Sequence, residues 1–87
     1  MVEKTITIKN KVGLHMRPAG EFAKLATKCT SDVKIVHNGK DINAKSVLNI
    51  MAAAIKFGDS ITIKCDGANE AEDLKLLVDA VESGLGE

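Results

Sequence analysis

The dipeptide Asn38-Gly39 constrains this chain most. Both residues accept the positive φ that a two-residue hairpin turn demands, and alternating apolar positions flank them. Val33, Ile35 and His37 alternate before the turn, and a return strand of about Lys40 to Asn43 turns Ile42 inward. Two antiparallel neighbours are therefore expected in the middle of the chain. Two further runs share the period of two. In the first, Val2, Ile6 and Ile8 alternate with Glu3, Thr5, Thr7 and Lys9, and Lys4 interrupts the apolar face. In the last, Ile61, Ile63 and Cys65 alternate ahead of an Asp66-Gly67 turn. Such alternation buries one face of a strand and leaves the other to water.

Three other segments follow the helical period. The first runs from about Met16 to Lys28, with Ala19, Phe22, Ala23 and Ala26 as its buried stripe. The second begins at Ser46, a good N-cap, and ends before Gly58. The third is expected to be capped by Asn69, with Glu72 three residues on as in a capping box. Its stripe is Ala71, Leu74, Leu77, Val78, Val81 and Leu85, and Gly84 or Gly86 ends it. The order is βαββαβα over a single domain, 1–87. A four-stranded sheet with its three helices on one face makes a two-layer, open-faced α+β sandwich. The pattern does not order the strands, and a ferredoxin-like pairing is an open rival.

At 87 residues the chain can bury only about 60–65% of its unfolded surface, enough for one thin core but no deep cleft. That favours a carrier or binding module over a self-sufficient enzyme. Zero net charge and only two aromatic residues, Phe22 and Phe57, argue against nucleic acid as a partner. No apolar run approaches the ~18 residues of a membrane span, and Met-Val-Glu-Lys-Thr lacks a signal-peptide core. A soluble cytoplasmic protein is expected. Cys29 and Cys65 stand apart and read as reduced core hydrophobes. His15 and His37 lack metal-ligand spacing, and no cofactor or metal is expected.

The chemistry concentrates in Gly13-Leu14-His15-Met16-Arg17-Pro18-Ala19. Proline is tolerated in the first turn of a helix, where its missing N–H had no partner to lose. His15 and Arg17 therefore belong at a helix N-terminus, beside unpaired amides and partial positive charge. Neutral imidazole is a competent nucleophile near pH 7, and a guanidinium can donate two bonds to phosphate oxygens. Together these groups suit a phosphoryl group. Gly13 permits the turn before the histidine. Taken alone, His15 is equally a capping histidine and Arg17 a surface charge, while His37 reads as an ordinary strand residue.

These seven residues resemble the phosphohistidine motif of the histidine-containing phosphocarrier protein (HPr) family of the bacterial phosphoenolpyruvate:sugar phosphotransferase system. The resemblance extends over nearly the whole chain. It implies the antiparallel strand order 1-4-2-3. It implies that His15 takes a phosphoryl group on Nδ1 from phosphorylated enzyme I and passes it to a sugar-specific enzyme IIA. Arg17 would stabilise the phosphate, and Pro18 would start the helix. Ser46 matches the family's regulatory serine, on which an ATP-dependent kinase and phosphatase acts in some members, the phosphorylated form binding a catabolite-control repressor. Ser46 is equally an ordinary N-cap. A monomer is expected. A nitrogen-regulatory branch is a rival within the family. A paralogue that regulates only through serine would lack the histidine present here. Met16 and Gly20 depart from the family pattern beside the site and bear on partner choice.

The second helical segment is also more apolar than a core stripe requires. Projected at 100° per residue, Val47, Leu48, Ile50, Met51, Ala54 and Ile55 cover roughly 160°, where a one-sided stripe needs about 100°. Val47, Leu48 and Met51 are expected to face solvent. Met16 and Gly20 would extend this surface beside His15, and Arg17, Lys24, Lys28 and Lys45 would rim it. An apolar centre with a basic rim suits partners with an acidic edge.

Overall fold

In the computed structural model, which describes residues 1–85, the alternating runs become β1 (Val2–Thr7), β2 (Asp32–His37), β3 (Lys40–Asn43) and β4 (Ser60–Asp66). The helical runs become α1 (Met16–Lys28), α2 (Val47–Ala52) and α3 (Glu70–Glu82). The strands form one sheet in the order β1-β4-β2-β3, every pair antiparallel. This is the order implied by the family resemblance, and the ferredoxin-like pairing is not formed. Asn38 (φ 52°) and Gly39 (φ 78°) supply the two left-handed residues of the β2–β3 hairpin.

Register explains the two faces. Ile63 of β4 stands opposite Lys4 of β1 and Ile35 of β2, and Ile35 stands opposite Ile42 of β3. The row is apolar at Ile63, Ile35 and Ile42 and ends in a lysine on the edge strand β1. Lys4 borders α3 at Leu74, Lys75 and Val78. An inward lysine on an edge is a common guard against edge-to-edge pairing. The inner face meets Phe22, Ala19, Ala23 and Ala26 of α1 and Leu77, Val78 and Val81 of α3, all buried. The outer face is polar: Glu3 stands opposite Lys64, Lys64 opposite Lys34, and Thr5 shares a 2.7 Å hydroxyl bond with Thr62.

Two local expectations are corrected. Asn69 precedes α3, but its ψ of 29° is not extended, and its side chain makes no cap bond. Glu70 takes over, accepting the Gly67 N–H at 3.2 Å and pairing with the chain's N-terminal amine at 3.0 Å. Ala71 is exposed and Leu74 only half-buried, so the working stripe of α3 starts at Leu77. At its end, Gly84 N–H bonds Val81 carbonyl and Leu85 N–H bonds Ala80 carbonyl, both at 3.0 Å. This is a Schellman motif, with Gly84 at φ 92° and Leu85 buried. Gly86, the other expected stop, lies outside the described residues.

The second correction concerns α2, which stops at Ala52, well short of Gly58. Ala54 turns the chain with φ 53°. Ala54 and Ile55 therefore leave the helical projection. A left-handed alanine is disfavoured by about 1–2 kcal/mol, so the surroundings must impose it.

Both cysteines are buried and free. Burial pushes the Cys65 thiol up to about 11 and raises that of Cys29, which keeps both protonated and inert near neutrality. His37 is a strand residue as expected, but it is buried and lies 2.9 Å from Asp59. Among the described residues, no helix is long and apolar enough to cross a membrane.

Candidate functional site

His15 is the N-cap of α1, in extended backbone at φ −79°, and its carbonyl accepts the Ala19 N–H at 2.9 Å. That bond is the first of the helix. Met16, Arg17 and Pro18 fill the opening positions, whose N–H groups have no carbonyl one turn back. Pro18 sits there without loss and is buried, which anchors the helix start to the core. The positive end of a thirteen-residue helix thus lies at an exposed imidazole. No acidic residue occupies the first turn of α1.

The loop ahead of His15 is fixed by its contacts. Gly13 has φ 71°, and a Cβ on it would collide with the Ile55 carbonyl and the Lys56 backbone. Only glycine satisfies both constraints. Gly13 N–H bonds the Asn10 carbonyl at 2.9 Å, and Leu14 N–H bonds the Ile55 carbonyl at 3.0 Å. Asn10, buried, sends its amide to the Gly84 carbonyl at 2.8 Å. The loop is therefore tied to the α2–β4 connection on one side and to the end of α3 on the other. A buried asparagine there carries no sequence signal that separates it from a solvated turn residue.

Arg17 is exposed one residue past Met16. Among the described residues it enters no ion pair, unlike Lys75 with Asp79 or Met1 with Glu70. His15 lines a shallow depression of about 260 Å³ with Val12, Leu14, Met51, Ala54, Ile55 and Lys56. Two larger clefts run along β3, lined by residues such as Asn38, Asp41 and Asn43, and neither includes His15. His15 thus sits on an open surface that a protein can cover, not in a cavity shaped for a small molecule. Among the described residues, no group of three His, Cys, Asp or Glu is placed to hold a metal ion.

Ser46 is the N-cap of α2, and its Oγ accepts the Asn49 N–H at 3.3 Å. Leu48 is 78% exposed, Met16 70% and Met51 37%. Val47 differs from the expectation: it is half-buried and packs against the core, since it shares the inward side of α2 with Ile50. Gly20 is half-buried in α1, and a Cβ there would meet nothing within 4 Å. Lys24, Lys28 and Lys45 are exposed. Lys45 Nζ donates to the Cys29 carbonyl at 3.5 Å, at the C-terminal end of α1.

The chain matches the family model described as "PTS HPr component phosphorylation site" over residues 2–83. It is similar to the phosphocarrier protein HPr of Mycoplasma capricolum subsp. capricolum, 49% identical over 72 residues, covering 83% of this chain and 80% of that protein. It is similar also to the HPr-like protein Crh of Halalkalibacterium halodurans, 40% identical over 82 residues, covering 94% and 98%. Among solved structures, the crystal structure of HPr-C-His from Thermoanaerobacter tengcongensis matches with a TM-score of 0.95 at 42% identity, covering 100% of this chain and 98% of that one. With the sheet order, the helix start and this breadth of similarity together, the chain belongs to the HPr family of phosphocarrier proteins.

Proposed function

We propose that this phosphocarrier takes a phosphoryl group on His15 from phosphorylated enzyme I of the sugar phosphotransferase system and passes it to enzyme IIA. One observation carries the reading: an exposed imidazole and an uncommitted guanidinium share the start of a long helix whose first turn holds no acid. In the accepting step a ring nitrogen's lone pair attacks phosphorus. The N–P bond forms as the bond from phosphorus to the donor breaks, and the phosphoryl oxygens keep their charge. The α1 N-terminus stabilises that charge by about 0.3–1 kcal/mol, and Arg17 adds up to two charge-assisted bonds. Modest stabilisation suits a carrier, because a deep well would hold the group instead of releasing it.

Met16, Leu48 and Met51 form the apolar centre of the docking surface, and Arg17, Lys24 and Lys28 rim it. Lys45, which donates to the Cys29 carbonyl next to Lys28, completes the rim. Gly20 supplies a flat spot on the same side of α1. Both partners would use this surface in turn. Phosphorylation of Ser46 is the accompanying regulatory reading, favoured by its place at the start of the helix that carries Leu48 and Met51. Added negative charge there would oppose an acidic partner.

The test is incubation with enzyme I, magnesium and labelled phosphoenolpyruvate. One acid-labile, base-stable label is expected, mapping to His15, and His15→Ala abolishes it while staying folded. Normal labelling of the folded His15→Ala protein overturns the assignment.

A further inference from the structure

The connection between α2 and β4 presses on the His15 loop, and one carboxylate shapes that connection. Asp59 Oδ2 accepts the Lys56 N–H at 2.9 Å, and Asp59 N–H returns a bond to the Lys56 carbonyl at 3.0 Å. The two bonds close residues 56–59 into a rigid turn. Asp59 carbonyl also accepts the Ile8 N–H at 2.8 Å, and Gly58 N–H donates to the Ile8 carbonyl at 2.9 Å, which fastens the turn to the end of β1. On the far side, His37 Nε2 lies 2.9 Å from the same Oδ2. An ionised carboxylate only accepts, so Nε2 carries the proton and donates. His37 is 6% exposed, so the imidazole is a buried anchor for the carboxylate rather than a surface contact.

The turn touches the active loop directly. Ile55 carbonyl accepts the Leu14 N–H at 3.0 Å, and Gly13 packs against Ile55 carbonyl and Lys56 Cα without room for a Cβ. Leu14 is bonded to His15. The left-handed Ala54 lies just ahead of this contact and lines the same depression as His15. The connection therefore holds a disfavoured backbone conformation next to the nucleophile, and an over-determined surrounding is what such a conformation needs.

We infer that Asp59 is a positioning residue for His15, acting through the Ile55–Lys56 backbone with His37 as its anchor. The inference rests on the phosphocarrier reading and extends it to residues remote from the phosphoryl group. Held this way, the loop presents His15 to its partner in one orientation, which lowers the entropy lost in reaching an in-line approach. Asp59 carboxyl is held below the usual carboxylate range, chiefly by the Lys56 N–H and then by His37. Asp59 is thus ionised near neutral pH, where it accepts from both Lys56 N–H and His37.

The experiment measures steady-state transfer from phosphorylated enzyme I and amide hydrogen exchange on the same variants. Asp59→Ala is expected to lower kcat about tenfold while KM stays within about twofold, since the docking surface is untouched. Leu14 amide exchange should quicken about tenfold, with Ile63 in the central strand unchanged. Asp59→Asn keeps an acceptor for Lys56 N–H and restores most of kcat. If Asp59→Ala does not fold, His37→Gln serves: it removes the anchor only and should cost about threefold in kcat with faster exchange at Leu14. Wild-type kcat in a folded Asp59→Ala or His37→Gln protein overturns the inference. So does faster exchange spread equally over Leu14 and Ile63. If the wild-type protein takes no label, the carrier reading fails separately, and the Leu14 exchange still decides whether Asp59 positions the loop.

Discussion

The two helix starts in this protein solve the same problem in opposite ways. α2 closes its own N-terminus: Ser46 Oγ accepts the Asn49 N–H, and the helix lasts six residues. α1 begins at His15, which gives it no side-chain cap, and runs for thirteen residues. Capping is worth about 1 kcal/mol, a large share of what a six-residue helix can have. α1 does without it because Pro18, Ala19, Phe22, Ala23 and Ala26 bury a continuous stripe. Burial of a single Phe22 side chain contributes about 1.5–3 kcal/mol, more than any cap. A helix secured by its stripe can leave its positive end available to a visiting anion. A helix secured by its cap cannot.

That contrast can be broken first at Arg17. Arg17→Ala should slow labelling of His15 by on the order of 10²-fold with no change in melting temperature, because it removes a donor aimed at developing phosphate charge. Labelling at the wild-type rate would make Arg17 a bystander and leave the helix start alone to stabilise phosphate. The next effect concerns the surface beside the two starts. Leu48→Glu places charge at a side chain 78% exposed, so the melting temperature should move by no more than about 2 °C. Transfer at both steps should weaken about tenfold if the apolar centre is desolvated by partners. A collapse in stability, or unchanged transfer to both partners, refutes the docking surface.

The cap itself comes next. Ser46→Ala should cost about 1 kcal/mol in denaturant titration and leave His15 labelling near wild type, whereas Ser46→Asp should keep the stability and slow labelling. If both substitutions left stability unmoved, α2 would be held by Ile50 and Val47 and not by its cap. The smallest effect is expected inside α1. Gly20→Ala meets open space and should stabilise by about 0.5–1 kcal/mol, which measures how much helix propensity α1 forgoes near its working end. A loss of stability there would show that the start of α1 needs the freedom of glycine.

The strands, α1 and the placing of His15 and Arg17 at its start were legible because each rests on a short-range rule. Alternation set Ile61, Ile63 and Cys65 inward, and the proline placed the start of α1 correctly. The failures share a cause. Asn69 looks like a cap, but its ψ of 29° takes its side chain away from that work, and Glu70 serves two longer-range partners instead. α2 carries no stop signal at Ala53 or Ala54, since alanine favours helix. The turn at Ala54 is imposed by the need to deliver Ile55 carbonyl to Leu14. The helical projection sets Val47 on the solvent edge and Lys45 on its rim, while their actual neighbours, the core and the Cys29 carbonyl, come from elsewhere in the fold. Strand order was beyond the pattern for the same reason, because pairing between β1 and β4 spans most of the chain.

The outer face of the sheet now has a practical meaning. Glu3, Thr5, Lys34 and Lys64 stand on it, and no residue of the phosphoryl site, the docking surface or the Asp59 turn does. A fluorophore or a tether attached there would report on the molecule, or fix it to a bead, and leave the proposed docking surface clear. The open face is a handle, and a carrier observed through it can be followed one transfer at a time.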